Sequence, residues 1–218
     1  MKDYSKQNNE RIVKNTLTLY VRTALVMLVS LFTSRVVLSA LGIEDYGIYN
    51  IVGGVVVMFS VVSGALSASI SRFITFELGR ADMRKLRRIF STSINIQVGI
   101  SLLILILGET VGIWFLNYKM VIPFERLYAA NWVYQLSLLS FMMDLLVIPY
   151  TATIIAHEKM SIFAYISVVE IVLKLAIVLV LVYIPYDKLI TYSIFLMLVQ
   201  LLIRVAYNTY CRKSFQES

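Results

Sequence analysis

Three ionisable side chains sit where a chain this apolar has the least reason to keep them: Asp144, Glu170 and Lys174 each fall well inside a long hydrophobic stretch. A charge buried in hydrocarbon is costly, so such groups pair with one another, face a water-filled space, or bind a ligand or ion. Glu170 and Lys174 are four residues apart with the acid first, the spacing and polarity at which the two meet on one helix face. The pair either neutralises itself and merely tolerates burial, or lines a polar cavity. Asp144 has no partner in its own stretch, which points to Lys174 on the next one. Arg22, Arg72 and Arg204 are shallower. At about 1.5 Å per residue they lie within roughly two or three turns of a helix end, where long stems lift the charge to the head groups. Snorkelling and function compete for all three. Arg35 and Glu109 lie near the other ends of their stretches, placed to pair with each other, or Glu109 with Arg126.

Uncharged polar residues add a second pattern. Ser63, Ser67 and Ser71 recur every four residues, with Ser60, Gly64 and Ala68 on a neighbouring stripe. Small residues at this spacing let helices approach closely and hydrogen-bond across the contact; the same serines would suit a hydrated pathway. Gly53-Gly54 and Pro149 are candidate points of bending. Several chemistries find no support. The one histidine, His157, falls in a charged turn, no GxxxxGK[ST] phosphate loop occurs, and the one cysteine, Cys211, builds neither a disulfide framework nor a cysteine metal site within one chain. We expect neither an enzyme nor a cofactor.

The elements that must position these residues are transmembrane helices. Of 218 residues, 59% are hydrophobic and 15% charged, against roughly 45–50% and about 25% in ordinary soluble domains. That is too much apolar surface for one soluble core. About 20 residues cross the hydrocarbon, and six stretches qualify: 15–40, 46–76, 89–116, 127–155, 160–184 and 189–210. The chain then divides into an N-terminal segment 1–14, a six-helix transmembrane bundle 15–210, and a tail 211–218. Leu38-Ser39-Ala40 loosely resembles a cleavage site after an apolar run, but 15–40 is too long for a signal core and carries Arg22 and Arg35, so it is read as a retained helix. With both termini on one side, that side holds twelve Lys and Arg, including the cluster Arg84-Lys85-Leu86-Arg87-Arg88, against three on the other, Lys119, Arg126 and Lys188. The bias places both termini in the cytoplasm. It also explains the net charge of +7 as membrane orientation, and not as nucleic-acid binding.

Several separated segments resemble bacterial polysaccharide exporters of the O-antigen and capsule flippase type. They are Leu31-Phe32-Thr33-Ser34-Arg35-Val36-Val37-Leu38 followed by Leu41-Gly42-Ile43-Glu44-Asp45-Tyr46-Gly47-Ile48-Tyr49-Asn50; Ser71-Arg72-Phe73-Ile74 with Glu77-Leu78-Gly79; Ala130-Asn131-Trp132-Val133; and Ile154-Ile155-Ala156-His157-Glu158-Lys159-Met160. That family is related to the multidrug and toxin extrusion transporters, with two bundles of about six helices around a central cavity. The resemblance implies the inner membrane of a bacterium and a substrate of undecaprenyl-diphosphate-linked oligosaccharide, moved from the cytoplasmic to the periplasmic leaflet. It also implies cationic cavity residues that meet the diphosphate. Arg35 and Arg72 lie in matching segments; Arg22 and Lys174 join them by depth, with Asp144 and Glu170 as acids for pairing or ion coupling. Family members are about twice this length, so the chain resembles the N-terminal bundle; the expected partners are the lipid-linked oligosaccharide, membrane lipids, and a homodimeric or separately encoded second half that completes the cavity. Two rival expectations are a cation-coupled exporter of small molecules and a non-transporting membrane scaffold.

Overall fold

The computed structural model describes residues 2–80 and 82–215, with side chains except those of 2–12, 61 and 62. The three final tail residues, 216–218, and the side chains of Lys2, Lys6 and Arg11 used in the charge count lie outside that description. Among the described residues every regular element is helical. In chain order they are α1 Lys2–Leu41, α2 Ile43–Val57, α3 Ser60–Arg80, α4 Met83–Leu107, a π-helical turn Gly108–Gly112, α5 Ile113–Tyr118, a 3₁₀ turn Phe124–Arg126, α6 Leu127–Ala156, α7 Met160–Leu181 and α8 Lys188–Ser214.

Five helical stretches are long and apolar enough to cross a membrane: Val13–Leu41, Met83–Tyr118, Phe124–Ala156, Met160–Leu181 and Lys188–Ser214. They match five of the six predicted spans. The predicted span 46–76 is instead two helices, α2 and α3, joined by a turn at Met58-Phe59, where the Phe59 N–H donates to the Val56 carbonyl at 3.1 Å. The break falls four residues beyond the Gly53-Gly54 pair flagged as a bending point. The N-terminal segment is, from Lys2 onward, continuous with the first span. At about 1.5 Å per residue its 40 residues reach about 60 Å, twice the hydrocarbon thickness.

α6 is the hub, with α2, α3, α4 and α8 packed around it and α1 held through α7. Its side chains Ala130, Val133, Tyr134, Leu138 and Leu145 are fully buried and form the largest apolar cluster with α2, α3 and α4. The outer surface is apolar as well. Along α1, Leu17, Val21, Leu28, Leu31 and Phe32 are all more than half exposed, a continuous patch that water would not tolerate on a monomer but lipid solvates.

The helix ends are set by local chemistry. Gly42 takes φ +83° between α1 and α2, a left-handed conformation that glycine adopts without steric cost. Asp82 caps α4 by accepting from the Lys85 N–H at 3.2 Å, and that bond, the largest influence on it, holds its carboxyl below the ordinary value. Asp187 caps α8 by accepting from the N–H groups of Leu189 and Ile190 at 3.0 and 3.2 Å. Its other oxygen receives Arg126 at 2.7 Å, while the second guanidinium nitrogen of Arg126 reaches Asp45 at 3.0 Å. Arg126 thus ties the starts of α2, α6 and α8 together. Glu109, one of its anticipated partners, accepts instead from Gln135 at 3.0 Å.

Asp45 is 5% exposed, and burial pushes its carboxyl above the ordinary value more strongly than Arg126 pulls it down. Replacing Arg126 with methionine leaves Asp45 charged, buried and without its cation. We expect a loss of about 2 kcal/mol in stability at neutral pH. The deficit shrinks as pH falls through the raised pKa of folded Asp45, because the folded state then takes up the proton first. Thermal melts of Arg126→Met across pH 5–8 check both the size and the sign.

Candidate functional site

A half-open cavity of about 570 Å³ lies among α1, α2, α3, α6, α7 and α8. Its position follows from the packing: α6 and α8 form one wall, α7 carries α1 opposite, and the broken pair α2 and α3 leaves space at Gly53, Val56, Val57 and Ser60. The lining is unusually rich in hydroxyls for a membrane interior. Ser30 and Thr33 come from α1, Ser60 and Ser63 from α3, Ser137 and Ser140 from α6, and Ser193 with Tyr192 from α8. Thr33, Ser140 and Ser193 give their hydrogens to the carbonyl four residues back, at 2.7, 2.8 and 3.0 Å, so only oxygen lone pairs remain for a guest. Ser63 Oγ is buried and has no hydrogen-bond partner among the described residues.

Two of the deep ionisable residues face this space. Lys174 lines the cavity and donates to Glu170 Oε1 at 2.6 Å, with side-chain exposures of 31% and 26%. The four-residue spacing therefore produces the helix-face pair it implied. Asp144 lines the cavity from α6 but makes no ion pair within 4 Å among the described residues, so the anticipated direct Asp144–Lys174 bridge is not formed. The two share one cavity and stay apart.

The arginines lie elsewhere. Arg22 stands over the Phe163 ring at 4.4 Å in a separate groove between α1 and α7. Arg35 and Arg72 are exposed on α1 and α3 and do not line the cavity. Arg204 reaches from α8 to α6, its Nη1 donating to Met143 Sδ at 3.0 Å. Of the four cations proposed for substrate, Lys174 alone lines the cavity.

The buried polar groups of α4 and the Tyr49–Tyr192 pair had no reading from sequence. Gln97 on α4 is fully buried, and among the described residues neither its amide atoms nor Ser101 Oγ one turn on finds a hydrogen-bond partner. The spacing Ser93, Gln97, Ser101 was available in the sequence as a polar stripe of period four. Tyr49 and Tyr192 meet edge-on in the cavity wall, ring centroids 5.2 Å apart. Cys211 is buried, its thiol 3.7 Å from the Tyr150 carbonyl, and His157 stacks on Phe215 at 4.2 Å, so both serve packing at the end of α8. The described residues hold no group of three or more His, Cys, Asp or Glu able to bind a metal.

No protein-family model, curated protein or solved structure matches this chain.

Proposed function

We propose that the chain is a polysaccharide-lipid flippase bundle of a bacterial inner membrane, passing an undecaprenyl-diphosphate-linked oligosaccharide from the cytoplasmic to the periplasmic leaflet. What supports the reading is the hydroxyl-rich cavity around Lys174. A sugar head carries many donors, and lone pairs of Ser, Thr and Tyr oxygens accept them; the Lys174 ammonium suits a phosphate oxygen. In this reading α2 and α3 together make the sixth crossing, both termini are cytoplasmic, and the turn at Met58-Phe59 is the joint at which the cavity wall moves. A second bundle, from another copy or a separate chain, closes the open side, as rocking of two bundles about a midplane site requires.

One observation favours a second reading, a cation-coupled exporter of small molecules. Asp144 stands in the cavity without an ion pair, and with Glu170 it gives two acids against one ammonium. Such a surplus attracts a cation.

A deletion strain separates the two. The flippase reading expects loss of surface polysaccharide and accumulation of the lipid-linked oligosaccharide in the cytoplasmic leaflet. Normal polysaccharide with raised susceptibility to cationic drugs would reject it in favour of the exporter.

A further inference from the structure

A second concavity of about 380 Å³ lies between α1 and α7 and shares no lining residue with the polar cavity. Its walls are divided by chemistry. Val21, Leu25 and Val168 make an apolar channel, while Thr18, Arg22, Ser161 and Tyr165 supply the polar groups. The channel opens among the exposed side chains of α1, a surface that faces lipid.

Arg22 is the unusual member. Its guanidinium stacks on Phe163, its Nε is buried with no hydrogen-bond partner, and no carboxylate lies within ion-pair distance of it among the described residues. With the guanidinium held over the ring and Nε sealed inside, the terminal Nη groups are the ones left to meet a phosphate. Two features at the same end of the groove reinforce the charge. α7 starts without a side-chain cap, so its first N–H groups and helix dipole favour an anion. Lys159 immediately precedes that helix, and Lys14 lies two turns before Arg22. By the distribution of Lys and Arg this is the cytoplasmic end.

A neutral apolar partner would leave the Arg22 charge uncompensated, and a free anion would leave the channel empty. We propose that the groove holds one anionic glycerophospholipid of the cytoplasmic leaflet, with its phosphate on Arg22 and Ser161 and an acyl chain along Val21, Leu25 and Val168. The proposal rests on the membrane reading alone and stands whether or not the polar cavity moves a glycan. It also gives Arg22 a role outside the substrate path.

The test is native mass spectrometry of the full chain in mild detergent, titrated with dioleoylphosphatidylglycerol, dioleoylphosphatidylcholine, undecaprenyl phosphate and inorganic phosphate. Phosphatidylglycerol should be retained about fivefold more than phosphatidylcholine, the advantage expected of one cation at the head group. Arg22→Gln should remove that advantage. Ala164→Leu should lower retention of both lipids by filling the channel while keeping the charge, and Lys119→Gln, at the other membrane face, should change nothing. Equal retention of the two lipids by the wild type, or an unchanged preference in Arg22→Gln, overturns the proposal. So does displacement of phosphatidylglycerol by inorganic phosphate alone, which marks a simple anion site, or by equimolar undecaprenyl phosphate, which marks the polyprenyl carrier as occupant. If Arg22→Gln fails to fold, Ala164→Leu carries the test, and undiminished lipid retention there rejects the groove.

Discussion

On the proposed flippase reading, replacing Lys174 with alanine reduces glycan-lipid translocation about 50-fold while the protein still inserts, the effect of losing one hydrogen bond between an ammonium and a phosphate. The choice of Lys174 follows from the cavity: among the four cations anticipated for substrate it alone lines the polar space. The same change strips Glu170 of its 2.6 Å partner, and a carboxylate without a counter-ion inside a membrane is costly. The two consequences are separable. In Lys174→Ala with Glu170→Gln both charges are gone, so a deficit caused by an orphaned acid recovers, whereas one caused by a missing phosphate contact persists. We expect persistence. Exchanging the two residues, Glu170→Lys with Lys174→Glu, should restore normal protein levels without restoring transport, because the ammonium then sits one helical turn away. Surface polysaccharide measured against membrane abundance of each variant reads both effects.

Gly112→Ala should be the most damaging small substitution, at about 3 kcal/mol, the upper range for overpacking a well-filled core. A Cβ at Gly112 would overlap the hydroxyl oxygen of Tyr134 and stand 2.7 Å from its Cζ. Tyr134 is fully buried and donates to the Gly108 carbonyl at 2.9 Å, so its ring has nowhere to go without breaking that bond. Gly108→Ala makes a useful contrast. Its nearest obstacle is a Leu138 methyl at 2.7 Å, the end of a side chain that can rotate, so a smaller loss is expected. Combining Gly112→Ala with Tyr134→Leu should recover part of the stability by removing the obstructing ring. Thermal melts of the purified variants decide the order.

These two sites show what the sequence could and could not reveal. Hydropathy located the five helices long and apolar enough to cross a membrane to within about six residues at each end, because lipid imposes one requirement on every side of a helix. The Glu170–Lys174 pair was equally legible, being local to one helix. Gly108 and Gly112 stood four apart, a small-residue spacing that went unread because the closely approaching element, Tyr134, is on another helix. The cavity was hidden for the same reason. Ser30, Ser137, Ser193 and Gln200 lie on three helices and become one lining only once the rotation of each helix about its axis is known. That rotation is set by packing. Depth of the arginines could be counted from the sequence; their direction could not. Arg22 turned to Phe163, Arg204 to Met143, and Arg35 and Arg72 to the surface. Arg126 chose Asp45 and Asp187 because the starts of α2 and α8 converge on it, a meeting that separations of 81 and 61 residues conceal.

Transport by this bundle requires a hydrated polar space around Lys174 within otherwise apolar surroundings. Single cysteines at Ser60 and Ser137 in the cavity, and at Leu28 on the exposed face of α1, each with Cys211→Ser to remove the native thiol, can be exposed in membrane vesicles to a membrane-impermeant maleimide. We predict that the two cavity cysteines react, that Lys174→Ala leaves this reaction intact, and that the Leu28 position stays unlabelled in lipid. Cavity cysteines as inert as the one at Leu28 would contradict the account, since a dry cavity offers a sugar head no path.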